Sequence, residues 1–251
     1  MLNYSEYGAE DAPTALIVHG LYGSGRNWGV IAKRLSNVLH VITPDLRNHG
    51  QSPWDDSHGY EDLAQDLAGL IAQLGGPVHV VGHSMGGKAA MVLASRHPEM
   101  IDRLIVADIA PVAYSHSQMQ FITAMRAVDL DAVERRSDAE AQLAAQGVES
   151  ALQSFFTQSL DVAEKRWRLN LDALAADMEK ILGFPDLTAP FDGPTLFLSG
   201  AASEYVKPEH RPQIKTLFPK ARFAKLPGAG HWLHADKPRE FEAAVRAFLT
   251  A

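Results

Sequence analysis

The stretch Gly82-His83-Ser84-Met85-Gly86 lies between an apolar run, Pro77-Val78-His79-Val80-Val81, and a segment of helical pattern. A strand that turns at once into a helix, with a serine at the corner, is the layout of a nucleophile elbow, and it demands a central strand with a helix folded back over the sheet. Strand and helix backbones approach closely at such a turn, so its neighbours must lack side chains, and Gly82 and Gly86 meet that need. Ser84 is thereby nominated as a covalent catalyst. A serine hydroxyl is a poor nucleophile at neutral pH, so the reading also requires a base, an acid to orient it and donors for an oxyanion.

The rest of the chain supplies the sheet. Short apolar runs (Ala15 to Val18, Leu39 to Ile42, Val78 to Val81, Leu104 to Ala107, Leu196 to Leu198, Phe223 to Leu226) alternate with helical patterns. Such alternation predicts an α/β fold with a mostly parallel central sheet flanked by helices. Tyr60 to Leu74 and Pro238 to Leu249 carry apolar residues at helical spacing, the second opening with proline, and are read as covering helices. From about Val112 to Asp186 no strand-like run appears, and amphipathic stretches such as Phe121 to Val128 and Phe155 to Leu174 follow one another. The expected organisation is a core of residues 1-111 and 187-251 with a helical cap insertion over 112-186. A chain of 251 residues, 46% hydrophobic, suits one such unit.

Charge and composition narrow the chemistry. A net charge of -7 with no basic block argues against a nucleic-acid partner. Without cysteine there is no disulfide, thiolate metal site or thiol nucleophile, which leaves oxygen and nitrogen groups to act. The start Met1-Leu2-Asn3-Tyr4-Ser5-Glu6 has no signal-like pattern, and no apolar run approaches the roughly 18 residues of a membrane span. The expectation is a cytoplasmic protein that does not enter a membrane and acts on a small molecule.

A base must come from a loop at the carboxyl end of the sheet. His231 follows the last predicted strand, in Leu226-Pro227-Gly228-Ala229-Gly230-His231-Trp232. His83 alternates away from Ser84 and is expected beneath the elbow, His234 is read as loop-stabilising or solvated, and His19 as holding the loop His19-Gly20-Leu21-Tyr22-Gly23-Ser24. The backbone N–H groups of Leu21 and Met85 are the expected oxyanion hole. Removing one such donor typically costs about 2.7–4 kcal/mol of transition-state stabilisation. For the acid there are two places. After the strand that follows the cap the sequence reads Leu198-Ser199-Gly200-Ala201-Ala202-Ser203-Glu204-Tyr205, with Ser203 where an aspartate is expected and Glu204 one residue off. The other place is Asp108, at the end of Arg103 to Ala107, from which a carboxylate reaches the far nitrogen of His231; its bland alternative is a turn cap. Asp108 is preferred, with Ser203 as an accessory hydrogen-bonding partner. Asp45 to Ser52 reads as a polar turn, tied by Asp45 and Arg47, that buttresses the site.

With those residues in place, the chain resembles the α/β-hydrolase superfamily and, within it, the YbfF-type serine esterases. The resemblance spans nearly the whole chain. It rests on the His19 to Ser24 loop and Gly82-His83-Ser84-Met85-Gly86-Gly87-Lys88, and more specifically on Arg47-Asn48-His49-Gly50, Asp108-Ile109-Ala110-Pro111-Val112, Trp167-Arg168-Leu169-Asn170 and Gly230 to Ala235. It implies the α/β-hydrolase fold, a triad of Ser84, Asp108 and His231 with Ser203 as an extra polar member, and hydrolysis of carboxylic esters or of acyl-CoA thioesters; short to medium acyl chains are the expected substrates.

The expected chemistry needs no metal or organic cofactor. Tyr22, Trp28, Phe121, Phe155, Phe156, Trp167, Phe184 and Trp232 are candidates for an apolar acyl pocket, although aromatics at helical spacing also build cap cores. Lys88, Arg47, Arg166 and Arg168 are candidate contacts for a phosphorylated leaving group, set against solvated or structural roles. Carbon–carbon bond hydrolysis and lactone hydrolysis use the same triad, and a ligand receptor derived from a hydrolase keeps the same pocket.

Overall fold

The computed structural model describes residues 1–251. Seven strands form the main sheet: β1 (Tyr4–Tyr7), β2 (Thr14–Val18), β3 (His40–Pro44), β4 (Val78–His83), β5 (Ile101–Ala107), β8 (Thr195–Gly200) and β9 (Ala221–Leu226). A separate hairpin is made of β6 (Leu160–Asp161) and β7 (Arg166–Trp167). The order across the sheet is β1-β3-β2-β4-β5-β8-β9, with β1 antiparallel and all other pairs parallel.

All six predicted runs are strands, and their alternation explains how both faces are covered. Leu16, Val18, Val80, Leu104 and Val106 point into one core, with helices α2 (Tyr60–Gln73) and α3 (Met85–Arg96). Ala15, Ile17, Val81, Ile105 and Ala107 point into the other, with α1 (Gly29–Leu35), α10 (Leu233–Asp236) and α11 (Pro238–Leu249). On α11, Phe241, Val245 and Leu249 face inward one turn apart, while Phe248 packs only partly. The unpredicted strand is β1: Tyr-Ser-Glu-Tyr lies on the sheet edge with mostly exposed side chains, so it has no apolar run to announce it.

Between β5 and β8 the chain runs through α4 (Met119–Arg126), α5 (Arg136–Ala145), α6 (Ser150–Thr157), the hairpin, α7 (Leu171–Ala176) and α8 (Met178–Leu182); α9 (Arg211–Leu217) precedes β9. The helical insertion expected over 112-186 thus also holds a short hairpin, absent from the sequence reading. The amphipathic stretch from Phe155 to Leu174 breaks after α6, and the two-residue strands β6 and β7 turn through Lys165, whose φ is 52°. Two residues are too few for a period of two to show. The segment after the hairpin makes one link to the core: Leu169 pairs with His49, and Asn170 N–H donates to the Asn48 carbonyl at 2.9 Å. No helix is long and apolar enough to cross a membrane.

Candidate active site

Strand order reverses beside β2, where the chain adds β3 on one side and β4 on the other. Crevices at the carboxyl ends of strands next to such a switch point are where open α/β sheets bind ligands. The parallel register brings the ends level, with Val18 opposite Gly82, His83 opposite Ala107, and Ala107 opposite Leu198. The loop after β2, Ser84 after β4 and Asp108 after β5 therefore leave adjacent strands side by side.

Ser84 sits at the corner with φ 52° and ψ −121°, a conformation that side chains rarely adopt and that neighbouring structure must enforce. The glycines make room for it. A Cβ on Gly82 would lie 2.4 Å from the Gly86 carbonyl oxygen, and one on Gly86 would lie 2.4 Å from that of His19. Gly87 belongs with them, since its Cβ would meet Ile109 Cγ2 at 2.7 Å.

His231 Nε2 lies 3.1 Å from Ser84 Oγ, and its Nδ1 lies 2.8 Å from Asp108 Oδ2. Asp108 is fully buried and also has a positive φ, 52°. Its carboxylate accepts three hydrogen bonds: from His231, from the Ser203 hydroxyl at 2.5 Å and from Gly200 N–H at 3.0 Å. A buried carboxylate is tolerable only when its lone pairs are used in this way. The structure thus brings Ser84, Asp108, His231 and Ser203 together. Glu204 is exposed and takes no part in this chain of bonds.

His83 lies beneath, as its alternation suggested. Its Nε2 donates to the His231 carbonyl at 2.8 Å, fixing the loop that carries His231, and burial holds its pKa well below the ordinary imidazole value. His234 is not solvated: it packs against Trp28, with ring centroids 4.1 Å apart, and burial lowers its pKa to about 4.

The N–H groups of Leu21 and Met85 donate to no other group of the chain. His19 braces the loop between them, as expected, since its Nδ1 donates to the Gly20 carbonyl at 2.8 Å and its Nε2 accepts from Leu46 N–H at 2.9 Å. Asp45 ties the next turn, accepting from Gly25 and Gln51 N–H groups at 2.8 and 2.9 Å.

Ser84 opens into a cavity of about 280 Å³ whose lining is mostly apolar. Tyr22, Trp28, Phe121, Phe155 and Trp232 all border it, as do Phe156, Tyr60 and Lys88. Trp167 does not. It is buried in the cap core with its Nε1 donating to the Met125 carbonyl at 2.9 Å, and Phe184 packs near Tyr60 outside the cavity. Of the basic candidates only Lys88 borders the cavity; Arg47 makes a two-pronged pair with Asp66 at 2.6 and 2.9 Å, and Arg168 pairs with Asp161 at 2.8 Å. Arg166 is exposed on the hairpin. A second, more polar cleft of about 550 Å³ lies on the other side of His231, bordered by Ser203, Tyr205, His116 and Lys207. Tyr205 had no signal in the pattern of the sequence, and His49, read only as part of the buttressing turn, gave none of its bond to Tyr22 N–H, because each acts through a contact distant along the chain.

Comparison with known proteins agrees with this architecture. The sn-1-specific diacylglycerol lipase ABHD11 of Mus musculus is 43% identical over 96% of this chain and 82% of its own. Esterase YbfF of Escherichia coli is 37% identical over 93% of this chain and 92% of its own. A solved marine microorganism esterase superposes with a TM-score of 0.93 at 37% identity, covering 99% of both chains. Residues 15–244 match the alpha/beta hydrolase family, and the chain belongs to it.

Proposed function

We propose that this protein is a carboxylesterase-type serine hydrolase. The observation that carries the reading is the unbroken line from Ser84 Oγ through His231 to Asp108, 3.1 and 2.8 Å, at the mouth of an apolar cavity. In this mechanism Ser84 Oγ attacks the ester carbonyl carbon and its proton passes to His231 Nε2, while Asp108 holds the imidazole in the required tautomer. The carbonyl oxygen becomes an oxyanion that accepts from the Leu21 and Met85 N–H groups. As the carbon–oxygen bond breaks, His231 gives its proton to the departing alkoxide. Water, deprotonated by the same base, then cleaves the acyl-enzyme and restores Ser84.

Two spaces meet at His231, and they divide the substrate. The mostly apolar cavity of about 280 Å³ takes an acyl group of short to medium length, and the polar cleft takes the leaving group. A thioester presents the same carbonyl to Ser84. On this reading residues 1-111 and 187-251 are the catalytic core and 112-186 a cap that supplies Phe121, Phe155 and Phe156 to the acyl wall. The names of the relatives, a lipase and two esterases, support the same class.

The test is hydrolysis of p-nitrophenyl esters across a series of acyl lengths, with Ser84→Ala beside the parent protein. Turnover that disappears in the alanine variant is expected, with the best chain length sizing the cavity. A parent protein inactive on the whole series overturns the ester reading, and activity surviving in Ser84→Ala overturns the serine mechanism.

A further inference from the structure

Three imidazoles lie in a row beneath the loop that follows β2. The ring centroids of His19 and His49 are 5.0 Å apart and those of His49 and His58 5.2 Å, and all three side chains are buried. Each ring has a donor facing one nitrogen and an acceptor facing the other, and this sets its tautomer. His19 Nδ1 faces the Gly20 carbonyl and carries the proton, which leaves Nε2 to accept from Leu46 N–H. His49 repeats the arrangement: Nδ1 donates to the Arg47 carbonyl at 3.0 Å and Nε2 accepts from Tyr22 N–H at 3.1 Å. His58 takes the opposite tautomer, with Nδ1 accepting from Asn48 Nδ2 at 3.3 Å and Nε2 facing Met85 Sδ at 3.4 Å. Burial keeps His19, His49 and His58 below the ordinary imidazole range, so the rings hold these neutral forms.

The bonds fall on two consecutive peptide units. A trans peptide is planar with its C=O and N–H opposed, so anchoring the Gly20 carbonyl on His19 aims Leu21 N–H the other way. Gly20 lies against the nucleophile, for a Cβ there would be 3.2 Å from Ser84 Cβ. The next unit carries Tyr22 N–H and ends in a residue whose φ is 64°, a left-handed conformation disfavoured for a side chain of this size. His49 is the only side chain that accepts from that N–H. Gly23 N–H closes the same turn on the Gly20 carbonyl at 3.1 Å, and the His49 bond holds the Leu21–Tyr22 peptide within it against rotation about Leu21 ψ and Tyr22 φ.

We infer that His49 is a positioning residue of the oxyanion hole: by accepting the Tyr22 N–H it holds the loop in the form that aims Leu21 N–H at the reacting carbonyl oxygen. His58 supports the second donor residue by seating the Met85 side chain. The inference rests on the serine-hydrolase reading above.

Glutamine and asparagine at position 49 separate this role from simple packing. Glutamine can place an oxygen where Nε2 stands, while asparagine is one carbon too short. The parent, Ser84→Ala, His49→Gln and His49→Asn are assayed with one p-nitrophenyl ester, and each is titrated with an aryl trifluoromethyl ketone, which forms an oxyanion on attack by serine. His49→Asn is expected to lower kcat by about 10²-fold with KM within about threefold, and to weaken the ketone in proportion. His49→Gln is expected to return both to within about tenfold of the parent.

A parent that turns over and loses activity in Ser84→Ala, beside a His49→Asn variant with kcat and ketone affinity within threefold of the parent, overturns the role of His49 and leaves the serine mechanism standing. Equal losses in the glutamine and asparagine variants, or a rise in KM alone, also overturn it. If His49→Asn does not fold, His49→Gln carries the test: a kcat below a tenth of the parent's with unchanged ketone affinity places the defect outside the oxyanion hole and overturns the inference. A parent without turnover removes the serine reading and this inference together.

Discussion

Tyr205 stacks on His231, ring centroids 4.1 Å apart and planes 23° from parallel. In the proposed mechanism the imidazole gains a positive charge as it takes the serine proton, so an aromatic face against it stabilises the transition state more than the state before transfer. The same segment serves the acid, because Tyr205 N–H donates to Ser203 Oγ, which in turn donates to Asp108. Tyr205→Leu is expected to lower kcat about fivefold, the equivalent of about 1 kcal/mol of cation–π interaction. Tyr205→Phe keeps the stack and gives up only the bond to His116, so its kcat stays within about twofold of the parent. Steady-state kinetics on the two variants checks the pair, and equal losses would deny the stack its role.

The three donors to Asp108 are not equivalent. Asp108→Asn leaves a neutral amide that permits the wrong imidazole tautomer, and kcat should fall by about 10⁴ with the fold retained. Ser203→Ala removes one charge-assisted bond and leaves those from Gly200 N–H and His231. Its expected cost is about 1.5–3 kcal/mol in stability, read by urea denaturation, with kcat lowered less than tenfold.

The legible parts of this protein were those written in local pattern. Five interior strands declared themselves because strands buried on both faces are continuous apolar runs, edge strand β9 was marked by the shorter run Phe223 to Leu226, and the elbow showed because three constraints fall within five residues. Edge strand β1, with polar exposed side chains, and hairpin β6–β7, with two residues a side, carry no periodicity to detect. The site divides the same way. Asp108 and His231 stand at strand ends and could be placed from strand order, but Tyr205 and His49 matter through rings and backbone groups met only in three dimensions. Trp167 shows the converse, an aromatic at a plausible spacing whose indole N–H is occupied by the Met125 carbonyl inside the cap.

Glycine positions around Ser84 should separate stability from catalysis. Gly86→Ala drives a Cβ to 2.4 Å from the His19 carbonyl oxygen and 2.7 Å from that of Val18, both backbone atoms that cannot step aside. About 3 kcal/mol or more of destabilisation is expected, seen as a large fall in the urea midpoint. Gly20→Ala meets Ser84 Cβ at 3.2 Å and His83 Nδ1 at 3.1 Å, distances that small shifts absorb. Its stability should change by about 1 kcal/mol. Its kcat should fall by more than tenfold, because the shift is taken up at the nucleophile and in the peptide that presents Leu21 N–H. A Gly20→Ala variant as active as the parent would show that the loop tolerates such displacement.

Lys88, one turn beyond Ser84 on α3, fastens the cap to the elbow: its Nζ donates to the Leu182 and Gly183 carbonyls at 2.9 and 2.5 Å. No carboxylate is among its partners, and burial lowers its pKa from 10.5 to about 7. A neutral amine keeps two hydrogens, enough for both carbonyls, so deprotonation leaves the latch intact. Between pH 7 and about 10.5 the unfolded chain then binds a proton that the native protein lacks, and stability from this group rises with pH by up to about 1.4 kcal/mol per unit. Lys88→Met has no proton to lose and removes that slope, while the other titrating groups contribute equally to both proteins. Urea denaturation at pH 7.0, 8.0 and 9.0 should show the parent gaining on Lys88→Met at each step. A stability difference that stays constant over the same range would mean that Lys88 keeps its proton in the folded protein, with the Tyr114 ring 4.8 Å away and the two carbonyls holding it there.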